Sequence, residues 1–322
     1  MQVKKLETGV SKLVHHPEHL AKMRAGQVVA PIHVSIWPTV RCQLNCSYCC
    51  CRNEDEYERS AEAVGGEERH TEMTLQEVKT AVDALALYGT KAIEFSGGGE
   101  PTLWPHLAEA VDYIHDKGIS LSLITNGLSL DLLSNDTIKK FSWIRISIQS
   151  MNYVQKIKWQ RLVDLTRISF SYIVADGESY DEIRKFHPYC AVEGITTRIA
   201  IQRPSTDERE KEAEEVVNEL GWPFFFSHKE EGQPKACYMA WVRAAIDWRG
   251  NFLVCPASQL TKSSEGKIEQ SFGLCHVTEL KDWLENNSPK DLGYRCKFCN
   301  CGKEHNDFVD DLIKGVEDVE FC

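Results

Sequence analysis

The chain predicts an α/β protein, with a parallel sheet of six strand–helix units, open or curled into a partial barrel, and a smaller cysteine-rich α+β segment after it. Three observations carry that prediction. Between about residues 31 and 220, short apolar runs alternate with helical stretches bounded by capping signals. Three sets of unusual residues, Cys42–Cys49, Gly97–Glu100 and Asn126-Gly127, each fall just after an apolar run. From about 223 onward the alternation gives way to a hairpin pattern and a second group of cysteines. The expected organisation is an N-terminal extension over 1–30, a core over 31–222 and a small domain over 223–322.

Taken in order, His33-Val-Ser-Ile-Trp-Pro38 reads as a short apolar strand delivering the first cysteine loop. Thr74-Leu-Gln-Glu77 has the spacing of a capping box and opens a helix through about Tyr88. Ala92–Ser96 is the next strand and runs into Gly97-Gly-Gly-Glu100. Pro105 opens a helix that stops at Gly118. Ser120–Thr125, Trp143–Ile148, Arg167–Val174 and Thr197–Ile201 supply four more strands. Ser205-Thr-Asp-Glu208 reads as a second capping box, and its polar helix ends near Gly221. Residues 53–70, acidic with Gly65-Gly66, and the polar stretch 258–270 read as loops, the first a candidate lid. Ala244–Cys255 reads as a hairpin turning at Arg249-Gly250-Asn251, followed by a helix over about 277–286 and a helical acidic tail after Glu304. In parallel sheets of this kind, sites lie at the carboxyl ends of strands, so the three unusual loops are expected on one face.

Composition narrows the classes. The chain has 322 residues, 42% of them hydrophobic, enough for a large core. Its formal net charge of −11, without a polybasic tract, argues against sequence-independent binding of nucleic acid, leaving only a local basic groove open. No apolar run follows the lysines at the start, and no stretch approaches the roughly 20 apolar residues of a membrane span. Thirteen cysteines, an odd number gathered at 42–51 and 237–301, fit metal binding in a reducing cytoplasm better than a disulfide framework.

Cys42, Cys46 and Cys49 form a CxxxCxxC run. Three thiolates at this spacing can hold three irons of a four-iron cluster and leave the fourth open to a small molecule, although three cysteines can equally hold zinc. Cys50 and Cys51 follow directly and read as buried small residues under the loop.

With the glycine-glycine-glutamate run one strand later and six strand–helix units in all, residues 31–220 resemble the radical S-adenosylmethionine superfamily. The resemblance implies a partial (β/α)6 TIM-like barrel and a [4Fe-4S] cluster on Cys42, Cys46 and Cys49. It further implies S-adenosylmethionine chelated at the open iron and cleaved reductively to a 5′-deoxyadenosyl radical. It places Tyr48 near the adenine, Gly98 and Gly99 where the backbone approaches the methionine part, and Glu100 as acceptor for its ammonium group. Asn126 joins this set at the end of the third strand. Ser147 and Gln149 on the fourth strand are candidates for the ribose or carboxylate, although many relatives carry an acidic residue where Gln149 stands. Arg198 on the sixth strand can pair the carboxylate or form a structural ion pair.

Cys237 and Cys255 flank the hairpin, and Cys296 and Cys299 form a CxxC. Four such cysteines can enclose a second cluster or form a zinc ribbon. The arrangement resembles a twitch domain, the shortened SPASM form, which implies one auxiliary [4Fe-4S] cluster with Cys301 free or replacing Cys299. Cys190, Cys275 and Cys322 lack a partner pattern, and Cys275 or Cys301 is the candidate hydrogen donor to a substrate radical.

The first functional expectation is an enzyme that oxidises, or forms a bond in, a peptide or small molecule with the auxiliary cluster assisting. The second is a radical isomerase or epimerase acting on a nucleoside, including modified nucleic acid, or on a peptidyl residue. The third is a non-catalytic iron–sulfur or zinc protein. The expected partners are S-adenosylmethionine, the substrate and a reductant such as flavodoxin or ferredoxin. The 30 or so residues before the first strand are too few for a separate peptide-binding domain, which weakens a leader-dependent peptide substrate.

Overall fold

The computed structural model describes residues 9–49, 71–175, 177–202, 206–227, 236–256, 273–289 and 303–314. The loops expected at 53–70 and 258–270 therefore lie outside the described residues, as do Cys50, Cys51, Cys296, Cys299, Cys301 and Cys322.

In chain order the elements are α1 (Pro17–Ala25), β1 (His33–Ile36), α2 (Leu75–Leu87), β2 (Ala92–Phe95), α3 (Leu107–Asp116), β3 (Ser120–Thr125) and α4 (Asn135–Lys139). They continue with β4 (Phe141–Ile148), α5 (Met151–Val154), β5 (Arg167–Val174), α6 (Asp181–Glu193), β6 (Thr197–Ile201), α7 (Asp207–Leu220) and β7 (Phe224–Phe226). The last are α8 (Met239–Val242), β8 (Arg243–Ile246), β9 (Asn251–Leu253), β10 (Gly273–His276), α9 (Leu280–Asn286) and α10 (Lys303–Lys314). The result is an α/β fold with a mostly parallel sheet.

By its contacts the chain divides into two compact units that interleave in sequence. One comprises Met1–Ser35, Thr74–Ile93 and Lys229–Cys322; the other comprises Ile36–Met73 and Glu94–His228. Residues 33–35 of β1 and 92–93 of β2 belong to the first unit, and Ile36 and residues 94–95 to the second.

In the second unit the strands β3 to β7 follow sequence order and pair parallel. Order without reversal is what a sheet curling toward a barrel requires, in contrast to a doubly wound sheet. Alternation along the strands separates two faces. Ile144, Ile146, Ile148, Phe170, Tyr172, Val174 and Ile199 are buried on one, each worth roughly 1.5–3 kcal/mol relative to exposure. Trp143, Arg145, Ser147, Ser169, Ile173 and Arg198 alternate with them and stay half-buried on the other. The parallel register sets Ser147, Ser171 and Arg198 in one cross-strand row.

Two helix signals need correction. Pro105 precedes the N-cap, His106, instead of opening α3. The cap of α7 is Thr206, which accepts from Arg209 N (3.3 Å); with arginine three residues on, no capping box closes there. The short strand β7 and the strand β10 were not expected from sequence. Three consecutive phenylalanines in β7 show no two-fold alternation, and β10 is only four residues long.

In the first unit, Thr74 and Glu77 close the capping box of α2, Glu77 N donating to Thr74 Oγ1 (3.2 Å) and Thr74 N to Glu77 Oε2 (2.7 Å). Strands β8, β9 and β10 form an antiparallel meander. Its first turn is held by the buried Asp247, whose Oδ1 accepts from Arg249 N and Asn251 N (both 2.9 Å). Gly250 leaves space for the His276 ring, since a Cβ there would sit 2.5 Å from Nε2. The N-terminal segment packs by Leu13, Leu20 and Met23 against Trp241, Val242 and Val309.

His19 is buried in this layer, Nε2 bonding the Trp241 carbonyl (3.1 Å), and burial lowers its pKa from 6.5 to about 4. Between those values the unfolded chain holds a proton that the folded chain does not, so stability rises with pH. Acidification from pH 7 to pH 4 is expected to cost the wild type on the order of 2–3 kcal/mol through this residue. Urea titrations across that range check it: His19→Gln should flatten the dependence, and an unchanged slope would refute the assignment.

Candidate active site

The loop after β1 carries Cys42, Cys46 and Cys49, all half-buried and none in a disulfide. Residues 71–73 run antiparallel to its entry: Val40 N donates to Thr71 O (3.0 Å), Met73 N donates to Pro38 O (2.8 Å), and Thr39 bridges Glu72. Arg41 pairs with Glu72 and also donates to Leu103 O (3.4 Å). The buried Trp104 indole donates to Met73 O (2.9 Å), completing the frame.

The glycine loop after β2 is locked to the same stretch of backbone. Gly98 has φ +87°, a conformation that glycine adopts without a Cβ penalty. Gly99 is needed for space, because a Cβ there would lie 2.2 Å from Arg41 O and 2.5 Å from the Val40 carbonyl carbon. Glu100 N donates to that same Arg41 O (2.7 Å). The close approach inferred at Gly99 thus includes the Val40–Arg41 backbone.

Glu100 is 2% exposed. Its Oε1 accepts from Thr102 N (3.1 Å), Thr102 Oγ1 (2.7 Å) and Thr125 Oγ1 (2.6 Å), and its Oε2 accepts from Asn126 N (2.7 Å). Burial pushes this carboxyl above its ordinary range, and the Asn126, Thr125 and Thr102 donors pull against that. The sequence suggested this carboxylate as acceptor for a ligand's ammonium group. In the protein it ties the glycine loop to the loop after β3.

Asn126 and Gln149 meet the cysteine loop. Asn126 Oδ1 accepts from Leu128 N (2.9 Å) and Gln43 Nε2 (3.5 Å), while its Nδ2 donates to Cys42 Sγ (3.9 Å). Gln149, the candidate for a ribose or carboxylate, donates from Nε2 to Cys46 Sγ (2.7 Å). Leu44 N donates to Cys42 Sγ (3.5 Å) and Cys49 N to Cys46 O (3.1 Å). Tyr153 OH donates to Asn126 O (2.7 Å). Burial, with the Cys46 thiol beside it, pushes the Tyr48 phenol well up. Ser147 and Arg198 stand on the half-buried face, in register through Ser171. Sequence reasoning missed Gln43, Thr102, Thr125 and Tyr153; only Thr125, in the Thr-Asn-Gly run closing a strand, carried a visible signal.

Among the described residues, no three His, Cys, Asp or Glu side chains converge where one metal ion could sit. A four-iron cluster asks for a different arrangement, since each thiolate takes its own iron. Three thiols on one loop, with N–H donors at Cys42 and Cys46, suit that donor set.

In the first unit, Cys237 and Cys255 join Met239, Val254 and Leu274 in one side-chain cluster. Cys275, on β10 opposite Phe252, is pushed up to about 12 by burial and is a thiol at neutral pH. Cys190 is fully buried and accepts from Thr197 Oγ1 (3.3 Å), as a packing residue does. Among the described residues, no helix is long and apolar enough to cross a membrane.

Residues 36–185 match the family described as the Radical SAM superfamily, whose members are enzymes. A 123-residue stretch is 32% identical to an S-adenosylmethionine-dependent nucleotide dehydratase of Selenomonas ruminantium, covering 37% of this chain and 39% of that protein. A 122-residue stretch is 31% identical to an Fe-coproporphyrin III synthase of Methanosarcina barkeri, covering 37% and 27%. The chain thus spans well under half the length of these curated relatives. Streptococcus suis SuiB, solved bound to the precursor peptide SuiA, shares the fold with a TM-score of 0.58 at 14% identity, over 90% of this chain and 74% of that one.

Proposed function

Because residues 36–185 carry a radical SAM superfamily domain, we propose that this chain binds S-adenosylmethionine at a cluster held by Cys42, Cys46 and Cys49 and uses it to take a hydrogen atom from a peptide or small molecule. The observation that carries the reading is the joining of the three loops. Arg41 O accepts from Glu100 N, and the Glu100 carboxylate in turn accepts from Thr125 and Asn126, which brings cysteine, glycine and asparagine loops to one place. A cluster held by Cys42, Cys46 and Cys49 would supply the one electron needed for reductive cleavage of the sulfonium, with methionine and 5′-deoxyadenosine as the products once hydrogen is taken from substrate.

The chain's own residues do the positioning. Gly98 bends the second loop so that its backbone presents polar groups without a side chain in the way. Glu100 holds that loop in place from beneath. Tyr48 packs its ring beside Cys46, the position proposed for the adenine. The row Ser147, Ser171 and Arg198 offers hydroxyls and a guanidinium to polar parts of the cofactor or substrate. Cys237 and Cys255, already in one cluster, are proposed to share a second iron–sulfur centre with Cys296 and Cys299. The relatives suggest two substrate classes, peptide from the SuiB complex and nucleotide from the dehydratase. The peptide or small-molecule reading is preferred, with a nucleotide as the second.

The test is anaerobic reconstitution with iron and sulfide, followed by S-adenosylmethionine and dithionite. Wild type is expected to hold about eight irons per chain, falling to about four in Cys255→Ser. It should form 5′-deoxyadenosine, which Cys46→Ala should abolish. Absence of 5′-deoxyadenosine from iron-replete wild type would sink the enzymatic reading.

A further inference from the structure

Resting on the cluster reading above, we propose that Gln149 and Asn126 raise the reduction potential of the centre held by Cys42, Cys46 and Cys49, by donating side-chain amide N–H bonds to two of its thiolates. Gln149 Nε2 lies 2.7 Å from Cys46 Sγ, and Asn126 Nδ2 lies 3.9 Å from Cys42 Sγ. A thiolate only accepts, so only the nitrogen end of each amide can face it.

Both amides are held in that orientation. Asn126 Oδ1 already accepts from Leu128 N (2.9 Å) and Gln43 Nε2 (3.5 Å), which leaves Nδ2 for the sulfur. Gln43 is itself steadied by Ser129 Oγ (3.2 Å). The Asn126 backbone is fixed at both ends, its N on Glu100 Oε2 (2.7 Å) and its O accepting from Tyr153 OH (2.7 Å). Gln149 leaves β4 just before Ser150, whose hydroxyl accepts from Tyr153 N (3.2 Å) and caps α5. The strand end and the cap together determine where the Gln149 side chain starts.

Hydrogen bonds to ligand sulfurs are one of the protein's levers on cluster potential. A donor at sulfur favours the state with more negative charge there, which is the reduced one. A carboxylate at either position would do the opposite, and it would also place like charge beside a thiolate. Neutral amides at both positions therefore make the centre easier to reduce. In this reading Gln149 and Asn126 are positioning residues that act through Cys46 and Cys42.

The experiment is an EPR-monitored redox titration of the full-length reconstituted protein without S-adenosylmethionine, reading the signal that Cys46→Ala removes. Gln149→Leu is expected to move the one-electron equilibrium tenfold toward the oxidised form, a midpoint about 59 mV more negative. Gln149→Glu should move it further the same way. Asn126→Asp keeps the acceptor for Leu128 N and loses the donor; its shift should have the same sign and be smaller than that of Gln149→Glu, as the longer contact implies. A midpoint in Gln149→Leu that is unchanged or more positive at full iron content overturns the proposal. So does lower iron content with no shift, which would mark a purely structural role. If Cys46→Ala removes no signal, the cluster assignment falls and takes the proposal with it, an outcome distinct from a cluster that is present and unmoved.

Discussion

Gly99→Ala is expected to lower the thermal midpoint by roughly 6–12 °C, corresponding to about 3 kcal/mol, and to leave the reconstituted protein poor in iron. The added methyl would stand 2.2 Å from Arg41 O, a backbone atom with no rotamer to change. Relief requires the cysteine loop to move and the 2.7 Å bond from Glu100 N to break. Gly98→Ala provides the internal comparison. Its φ of +87° costs an L residue about 1–2 kcal/mol, a smaller loss. Thermal unfolding of the two variants side by side checks this, and a Gly99→Ala effect no larger than that of Gly98→Ala would show that the loops are not pressed together.

The second large effect belongs to Glu100. Glu100→Leu would leave Thr102 N, Thr102 Oγ1, Thr125 Oγ1 and Asn126 N without their buried acceptor, at a cost of roughly 3–5 kcal/mol. Glu100→Gln keeps the shape but turns an amide against one of those donors, for about 2 kcal/mol. Urea unfolding measures both. A residue whose carboxylate served only to meet a ligand would show the reverse pattern, with stability kept in Glu100→Gln and only affinity for S-adenosylmethionine reduced.

The sequence made the second unit readable because its strands are short, apolar and regularly punctuated. Ser120–Thr125, Arg167–Val174 and Thr197–Ile201 have the bounds that periodicity and turn residues indicated. The capping box at Thr74 closed because threonine and glutamate stand three apart on either side of a true helix start. The apparent box at Ser205 did not, because the chain enters the helix one residue later and arginine occupies the matching position.

At the site, residue types were legible and partners were not. The run of glycines announced a close backbone approach, yet nothing in one dimension says that Arg41 is what approaches Gly99. Glu100 reads as a ligand contact from the resemblance carried by the glycine-glycine-glutamate run, and Gln149 from its alternation with Ser147 on the fourth strand. That the first meets Thr125 and Asn126, and that the second reaches Cys46, depends on contacts between residues 25 to 103 positions apart.

The alternation in β4 has a consequence for how such a protein can change. Ile144, Ile146 and Ile148 carry the packing, whereas Trp143, Arg145 and Ser147 line the half-buried face, and no residue does both. The same partition continues through Phe170 and Tyr172 against Ser169 and Ile173 in β5. Inheritance can therefore act on two interleaved alphabets, one conserving the scaffold and one free to drift toward new chemistry. A lineage could alter what it recognises by changing every second letter, with its architecture untouched.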